Sequence, residues 1–276
     1  MPNRKALYSI LLFLTLLAVI LAGIIYYERS REIKVVFFDV GQGDAILIEQ
    51  GSKQILIDGG PDGQKILEKL GEEIPFWDRN IELVIATHPD EDHIDGLIDV
   101  MNNYQIGQLI DNGVETETQV YKKYREARER KSINYSEGKA DMEIKISENI
   151  NLNILSPDGS QEKNHPKDTN ISSIVSRLTV GENSFLLVGD LTMEGEKNLT
   201  DKKVNLESRF LKVGHHGSKY STSKEFLEAV KPKEVVISVG KNNRFGHPAA
   251  ETLERIKLYN VTIKRTDEAG NVEYEF

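Results

Sequence analysis

The stretch THPDEDHIDG at residues 87–96 puts two histidines and four acidic residues into ten positions, directly after the apolar run LVIA. Carboxylates held that close repel one another unless all of them face water or something positive sits among them. The spacing His88-x-Asp90-x-Asp92-His93 follows a segment that reads as a buried strand, and Pro89 keeps that strand from continuing through its ladder. Side chains on a turn at a strand end can converge on one point, as those of a straight strand or helix cannot. A solvated loop with Asp92 or Asp95 as helix N-cap would account for the acids. It leaves both histidines unexplained, and a metal site explains them together with the acids.

Other apolar runs end in the same way. SFLLVGD ends at Asp190, RFLKVGHHGS at His215 and His216, and EVVISVGKNNRFGHP at His247. Each has an ordinary explanation by itself: Asp190 as an N-cap for LTMEGEK, His247 as a loop residue before Pro248. Four apolar runs with polar tips predict four tips gathered at one edge of a sheet core. Asp90, Asp92, Asp190 and a hydroxide supply four negative charges, which two divalent cations cancel. Paired metals make a nucleophile of water and clamp a developing oxyanion, and histidines supply neutral nitrogen ligands.

From Ile33 onward, short strand patterns (IKVVFFDV, AILIEQ, KQILID, ELVIAT, QIGQLID, MEIKIS, NINLNIL, SIVSRLTV, SFLLVGD, RFLKV, EVVISV) alternate with helical ones. The helical patterns cover residues 63–71, GLIDVMNNY, TQVYKKYREARERK, LTMEGEKNLTDK, SKEFLEAV and PAAETLERIKLY. SRLTV-GEN-SFLLV predicts a hairpin with a three-residue loop, and the tail NVTIKRTDEAGNVEYEF a final one. So many strands and helices bury their faces best as two packed sheets with helices outside, an α+β class. The net charge of −9 disfavours a protein that coats nucleic acid by charge alone. The absence of cysteine removes disulfides, thiolate ligands and thiol nucleophiles. Residues 6–27 carry no charge and would span roughly 33 Å as a helix, enough for a bilayer. They predict a single-pass membrane anchor with the rest extracellular, or a secreted protein if the segment is cleaved. The division is residues 1–31, anchor and short linker, and residues 32–276, one domain.

THPDEDHIDG resembles the HxHxDH motif of the metallo-β-lactamase superfamily, with Asp90 in place of the second histidine. LIDGG at 56–60, VGD at 188–190 and GHHGS at 214–218 follow in that superfamily's order. FFDVGQGDAILI, NISSIVSRL, FLLVGDL, LKVGHHGSKYSTS and RFGHPAAETLERI are similar to the metallo-β-lactamase-like domain of ComEC competence proteins, and less closely to the phosphorylcholine esterases that trim teichoic acids. The resemblance implies an αββα sandwich with two divalent ions, zinc or manganese, along one edge. It implies His88 and Asp90 on one metal, Asp92 and His93 on the other, Asp190 between them, His216 as a further ligand with His215 behind it or on the substrate (or the two in exchanged roles), and Asp58 orienting ligands from behind. The alternative for Asp58 is a tight turn before Gly59-Gly60.

The chain departs from the pattern where a third histidine ligand stands: DTNISSIV offers Asn170, and His165 lies nearby. This and Asp90 disfavour a β-lactamase, and oxygen-rich ligation shifts preference from zinc towards manganese. The expected function is a phosphodiesterase or nuclease acting on DNA at the cell surface, in which a metal-bound hydroxide attacks phosphorus. Asp92, His215 and His247 would serve catalysis, and Asn170 and Ser218 would bind substrate oxygens. With one apolar segment the chain is expected to supply a hydrolytic domain, not a DNA-uptake pore. The rivals are a phosphodiesterase of teichoic acid or another surface polymer, and a non-catalytic module that binds nucleic acid or a partner. The GQGD loop reads either as a phosphate cradle or as a tight turn. The basic helix at 121–131, and Lys212 and Lys219 beside the histidine pair, read as solvated charges or as polyanion contacts.

Overall fold

The structure is a computed structural model that describes residues 4–29, 32–159 and 168–276; His165 lies outside the described residues. Two seven-stranded sheets pack face to face. The first runs, edge to edge, β14 (Val272–Glu275), β1 (Ile33–Phe37), β2 (Ile46–Gln50), β3 (Lys53–Ile57), β4 (Asn80–Ala86), β5 (Gln105–Asp111) and β6 (Tyr135–Glu137). The second runs β13 (Thr262–Arg265), β12 (Glu234–Ile237), β11 (Phe210–Lys212), β10 (Asn183–Leu187), β9 (Val175–Val180), β8 (Ile150–Ser156) and β7 (Glu143–Lys145).

The period-2 pattern of the strands sorts their side chains between layers. In β1, Val35 and Phe37 enter the core between the sheets, beside Ile85, Leu152, Ile154 and Phe185. Val36 of the same strand faces the other way, among Leu56, Val84, Leu97 and Tyr124. That outer face is covered by α2 (Gly63–Glu73), α3 (Glu91–Asn103) and α4 (Gln119–Arg130). The outer face of the second sheet is covered by α5 (Met193–Asp201), α6 (Lys224–Val230) and α7 (Ala250–Lys257), through Leu199, Phe226, Leu227 and Ile256. The layers are therefore helix, sheet, sheet, helix, as the αββα expectation has it. The N-terminal helix α1 (Arg4–Arg29) is exposed on the described part of its surface.

Three local expectations change. Helix α3 begins at Glu91, inside the opening motif, so Asp92 and His93 ride on its first turn; acidic side chains there interact favourably with the helix dipole. The β9–β10 loop is two residues, because Val180 pairs with Asn183. The tail is not a hairpin: β13 lies parallel to β12 in one sheet, while β14 closes the edge of the other beside β1. The helical turn α8 (Thr266–Ala269), ended by Gly270 at φ 74°, carries the chain between them.

Strands β3, β4, β10 and β11 end at the same edge of the sandwich, and the motifs that follow them meet there. Strand β1 starts at the opposite end.

Candidate metal centre

Asp58, the residue after β3, sits at φ 58° and is fully buried. Its carboxylate accepts the Thr87 amide and the Thr87 hydroxyl, each at 2.7 Å, and His93 Nδ1 at 2.8 Å. A carboxylate accepts only, so His93 carries its proton on Nδ1 and turns Nε2 inward. The Thr87 hydroxyl spends its one proton on Asp58. At 3.0 Å from His88 Nδ1 it must therefore accept, which also sets Nε2 of His88 inward. His216 repeats the arrangement, with Nδ1 donating 2.9 Å to the Ser238 carbonyl. All three Nε2 atoms, and Asp190 Oδ1, are buried without a hydrogen-bond partner among the described residues.

These unsatisfied atoms converge. Asp190 lies 3.4 Å from His93 Nε2 and 3.2 Å from His216 Nε2, and Asp92 lies 3.2 Å from His216 Nε2. Ligand atoms of Asp92, His93, Asp190 and His216 all fall within 4.8 Å of one another. His88 Nε2 and Asp90 Oδ2, 3.7 Å apart, flank that group. Asp90 is the residue before α3, yet its side chain does not cap the helix; it accepts a 2.6 Å hydrogen bond from Thr169. Buried polar atoms are ordinarily paired. Nitrogen and carboxylate donors left unpaired around one point suit a divalent cation, so the residues fit the group that the motif implies.

The charges say the same. Burial, with the nearby His93, pushes His88 down to about 3, so it is neutral. Burial works against charge on His93 and His216 too, but the carboxylates of Asp190 with Asp58, and of Asp190 with Asp92, win. They raise His93 well above its ordinary value and His216 to about 10. Asp190 is held well below the carboxylate range against its own burial by these two imidazoles. Without a cation, protons on two histidines neutralise the acids; a cation placed there takes over that task.

Four contributors to the site were not assigned from the sequence. Asp44 of GQGD is buried and ion-paired to Lys212, which also donates 2.8 Å to the Gly189 carbonyl and lies 3.6 Å from Asp190. Lys212 is thus a fixed internal cation under the site, not a solvated charge. GQGD is a close-packed turn: a Cβ on Gly43, at φ 140°, would sit 2.2 Å from the Asp92 carbonyl oxygen. Thr87 and Thr169 are the others, each holding a ligand carboxylate or imidazole by its hydroxyl.

His215 and His216 both adopt left-handed backbone, at φ 46° and 52°, a strain of roughly 1–2 kcal/mol per non-glycine residue. The turn sends His216 into the cluster. His215 stays on the solvent side, its side chain 30% exposed, 3.9 Å from Asp190 and 5.7 Å between ring centroids from His247. Asn170 opens a short 3-10 turn, its Oδ1 buried and unpaired. Ser218 is buried and its Oγ accepts the Tyr220 amide, which turns it towards its own loop. Helix α4 buries Tyr121, Tyr124 and Ala127, and its Lys122, Arg125 and Arg128 pair with Glu117, Glu115 and Asp111.

A sequence profile described as the metallo-beta-lactamase superfamily matches residues 38–241. The chain belongs to that superfamily. Within it, the chain is 33% identical to ComE operon protein 3 of Bacillus subtilis, over 91% of this chain and 34% of that protein. It is 27% identical to competence protein ComA of Neisseria gonorrhoeae, over 92% and 34%. The chain spans about a third of the length of these relatives. The metallo-beta-lactamase fold protein YhfI of Bacillus subtilis superposes with a TM-score of 0.60 at 10% identity, covering 88% of this chain and all of that one. These likenesses make the chain a distant homologue of the ComEC-type competence proteins, with the superfamily's fold.

Proposed function

We propose that this chain is a metal-dependent phosphodiesterase that cleaves DNA at the outer surface of the membrane in which α1 is anchored. The observation that carries the reading is the set of inward, unpaired Nε2 and Oδ1 atoms of His88, His93, Asp190 and His216. His88, Asp90, Asp92, His93, Asp190 and His216 are the residues that would hold divalent ions here, and such ions would supply Lewis acidity and a nucleophile made from water. The protein's part is orientation. Asp58 and the Ser238 carbonyl hold imidazole rings in the ligating tautomer, and Thr169 steadies Asp90. Burial beside His215 keeps His247 below its ordinary value, hence neutral. At the solvent edge, His247 can contact a phosphate oxygen or accept a proton there. DNA as the polymer is supported by the likeness to competence proteins.

The test uses the full chain in detergent, stripped of metal and reloaded separately with manganese and zinc. Substrates are bis(p-nitrophenyl) phosphate and linear DNA, with His88→Ala and Asp190→Ala alongside. Metal-dependent cleavage of both, lost in the variants, is expected. Cleavage of the small diester alone would move the substrate to another surface polymer such as teichoic acid. A folded protein that binds metal and cleaves neither would sink the enzyme reading in favour of a binding module.

A further inference from the structure

Phe76 and Trp77, on the connection between α2 and β4, pack edge to face with ring centroids 4.9 Å apart and are 78% and 72% exposed. Tyr220, Phe245 and Leu258 are also exposed, but Phe76 and Trp77 are adjacent in sequence and in ring contact, so together they form an exposed apolar patch of the kind that marks an interaction surface. Their place in the fold is informative. Lys34, the second residue of β1, bridges Glu73 at 2.7 Å and Glu273 at 2.9 Å. Glu32, Lys34 and Pro75 line one depression with Gly51 and Glu275. Trp77 and Pro75 rim a neighbouring groove of about 470 Å³ beside the β2–β3 turn. The aromatic pair therefore stands next to the point where the chain enters the domain from α1.

The tether is short. From Arg29, the end of α1, to Ile33, the start of β1, is four residue steps, which extend to about 14 Å at most. The window Arg4–Leu21 has a mean hydropathy of 1.9 and none of it is buried against the domain. A span of that kind, so closely joined, holds this end of the sandwich within a headgroup layer of the bilayer, where tryptophan concentrates. We propose that Phe76 and Trp77 dip into the lipid headgroup interface beside α1, a second contact that fixes how the domain stands on its membrane. This rests on reading α1 as an anchor. Acidic Glu32, Glu49, Glu73 and Glu275 share this end with basic Arg209, Lys231 and Lys233. Aromatic insertion, not attraction to anionic lipid, is thus the source of the contact.

Trp77 is the only tryptophan in the chain, so its emission reports this site without a label. The full chain is reconstituted into phosphatidylcholine vesicles, with or without bromine near the carbonyl end of the acyl chains, and floated on a density gradient. The chain is expected to float, to lose most of its tryptophan emission in brominated vesicles, and to resist quenching by aqueous iodide. Phe76→Asp, an exposed substitution, should reverse both quenching patterns while the chain still floats. A floating chain whose Trp77 ignores the bromines and is open to iodide would overturn the proposal and leave the anchor intact. Trp77 shielded from both quenchers would mean that protein covers it, a second copy included, and would equally overturn the proposal. A chain that does not float would remove the anchor reading and the proposal with it.

Discussion

Asp58→Asn replaces one carboxylate oxygen by an NH2 group, and its effect on metal binding follows from the hydrogen bonds around it. The native carboxylate accepts from the Thr87 amide, the Thr87 hydroxyl and His93 Nδ1. The asparagine oxygen can keep the Thr87 amide, which leaves the NH2 group against the other two partners. His93 Nδ1 must then accept, and its proton moves to Nε2, where the cation would sit. The Thr87 hydroxyl must accept as well, so its own proton turns to His88 Nδ1 and pushes the His88 proton to Nε2 too. The reverse orientation of the amide sets NH2 against the Thr87 N–H, leaving a buried donor unsatisfied at a cost of about 1–3 kcal/mol. Loss of a group that orients a metal ligand typically weakens binding about 10–100-fold, or roughly 1.4–2.7 kcal/mol. With two imidazoles disturbed, the larger figure is expected. Calorimetric titration of manganese and zinc into parent and variant, with circular dichroism to establish folding, measures it. A folded Asp58→Asn protein that binds either metal as tightly as the parent would refute the tautomer argument.

Three further outcomes are expected. A Cβ on Gly96 would lie 2.0 Å from the Gly59 carbonyl oxygen, so Gly96→Ala must push α3 off the turn that holds Asp58. It should cost about 1–3 kcal/mol and weaken metal binding, because Asp92 and His93 ride on that helix; thermal melts with and without manganese test both effects. In chelator, the raised values of His93 and His216 contribute stability that is complete below the unfolded value of 6.5. That stability is lost as pH rises towards about 10 for His216, so the metal-free melting point should fall across that window. The same protons must leave when metal binds at neutral pH. Binding heats should therefore vary with the ionisation enthalpy of the buffer, and buffer-independent heats would count against protonated imidazoles.

The layers of the fold were readable because the central strands are runs of β-branched and apolar residues that stop at a polar or glycine-rich tip; the short edge strand YSE at Tyr135–Glu137 carries no such run and was missed. Stopping positions are a property of the sequence alone, so the shared edge followed from them. Partners are not, which is why the tail misled: TIKR and VEYE read the same whether they pair with each other or, as here, with β12 and β1 in separate sheets. The site divides in the same way. His88, Asp92, His93 and Asp190 announce themselves by clustering or by ending an apolar run. Lys212 looks like the outward residue of a short strand until Asp44, far away in sequence, is placed against it. The acids of the opening motif do carry a helix-start signal, but α3 begins at Glu91, earlier than an N-cap at Asp92 or Asp95 would place it.

In the tethered arrangement proposed above, β4 rises from the membrane end to the metal centre over seven residues, about 23 Å at a strand's pitch. Surface charge on a bilayer is screened over about 8 Å at physiological ionic strength. The cluster thus stands nearly three screening lengths above the lipid phosphates. A polyanion threading past the sandwich at that height would meet the local field of the site, not the repulsion of the membrane beneath it.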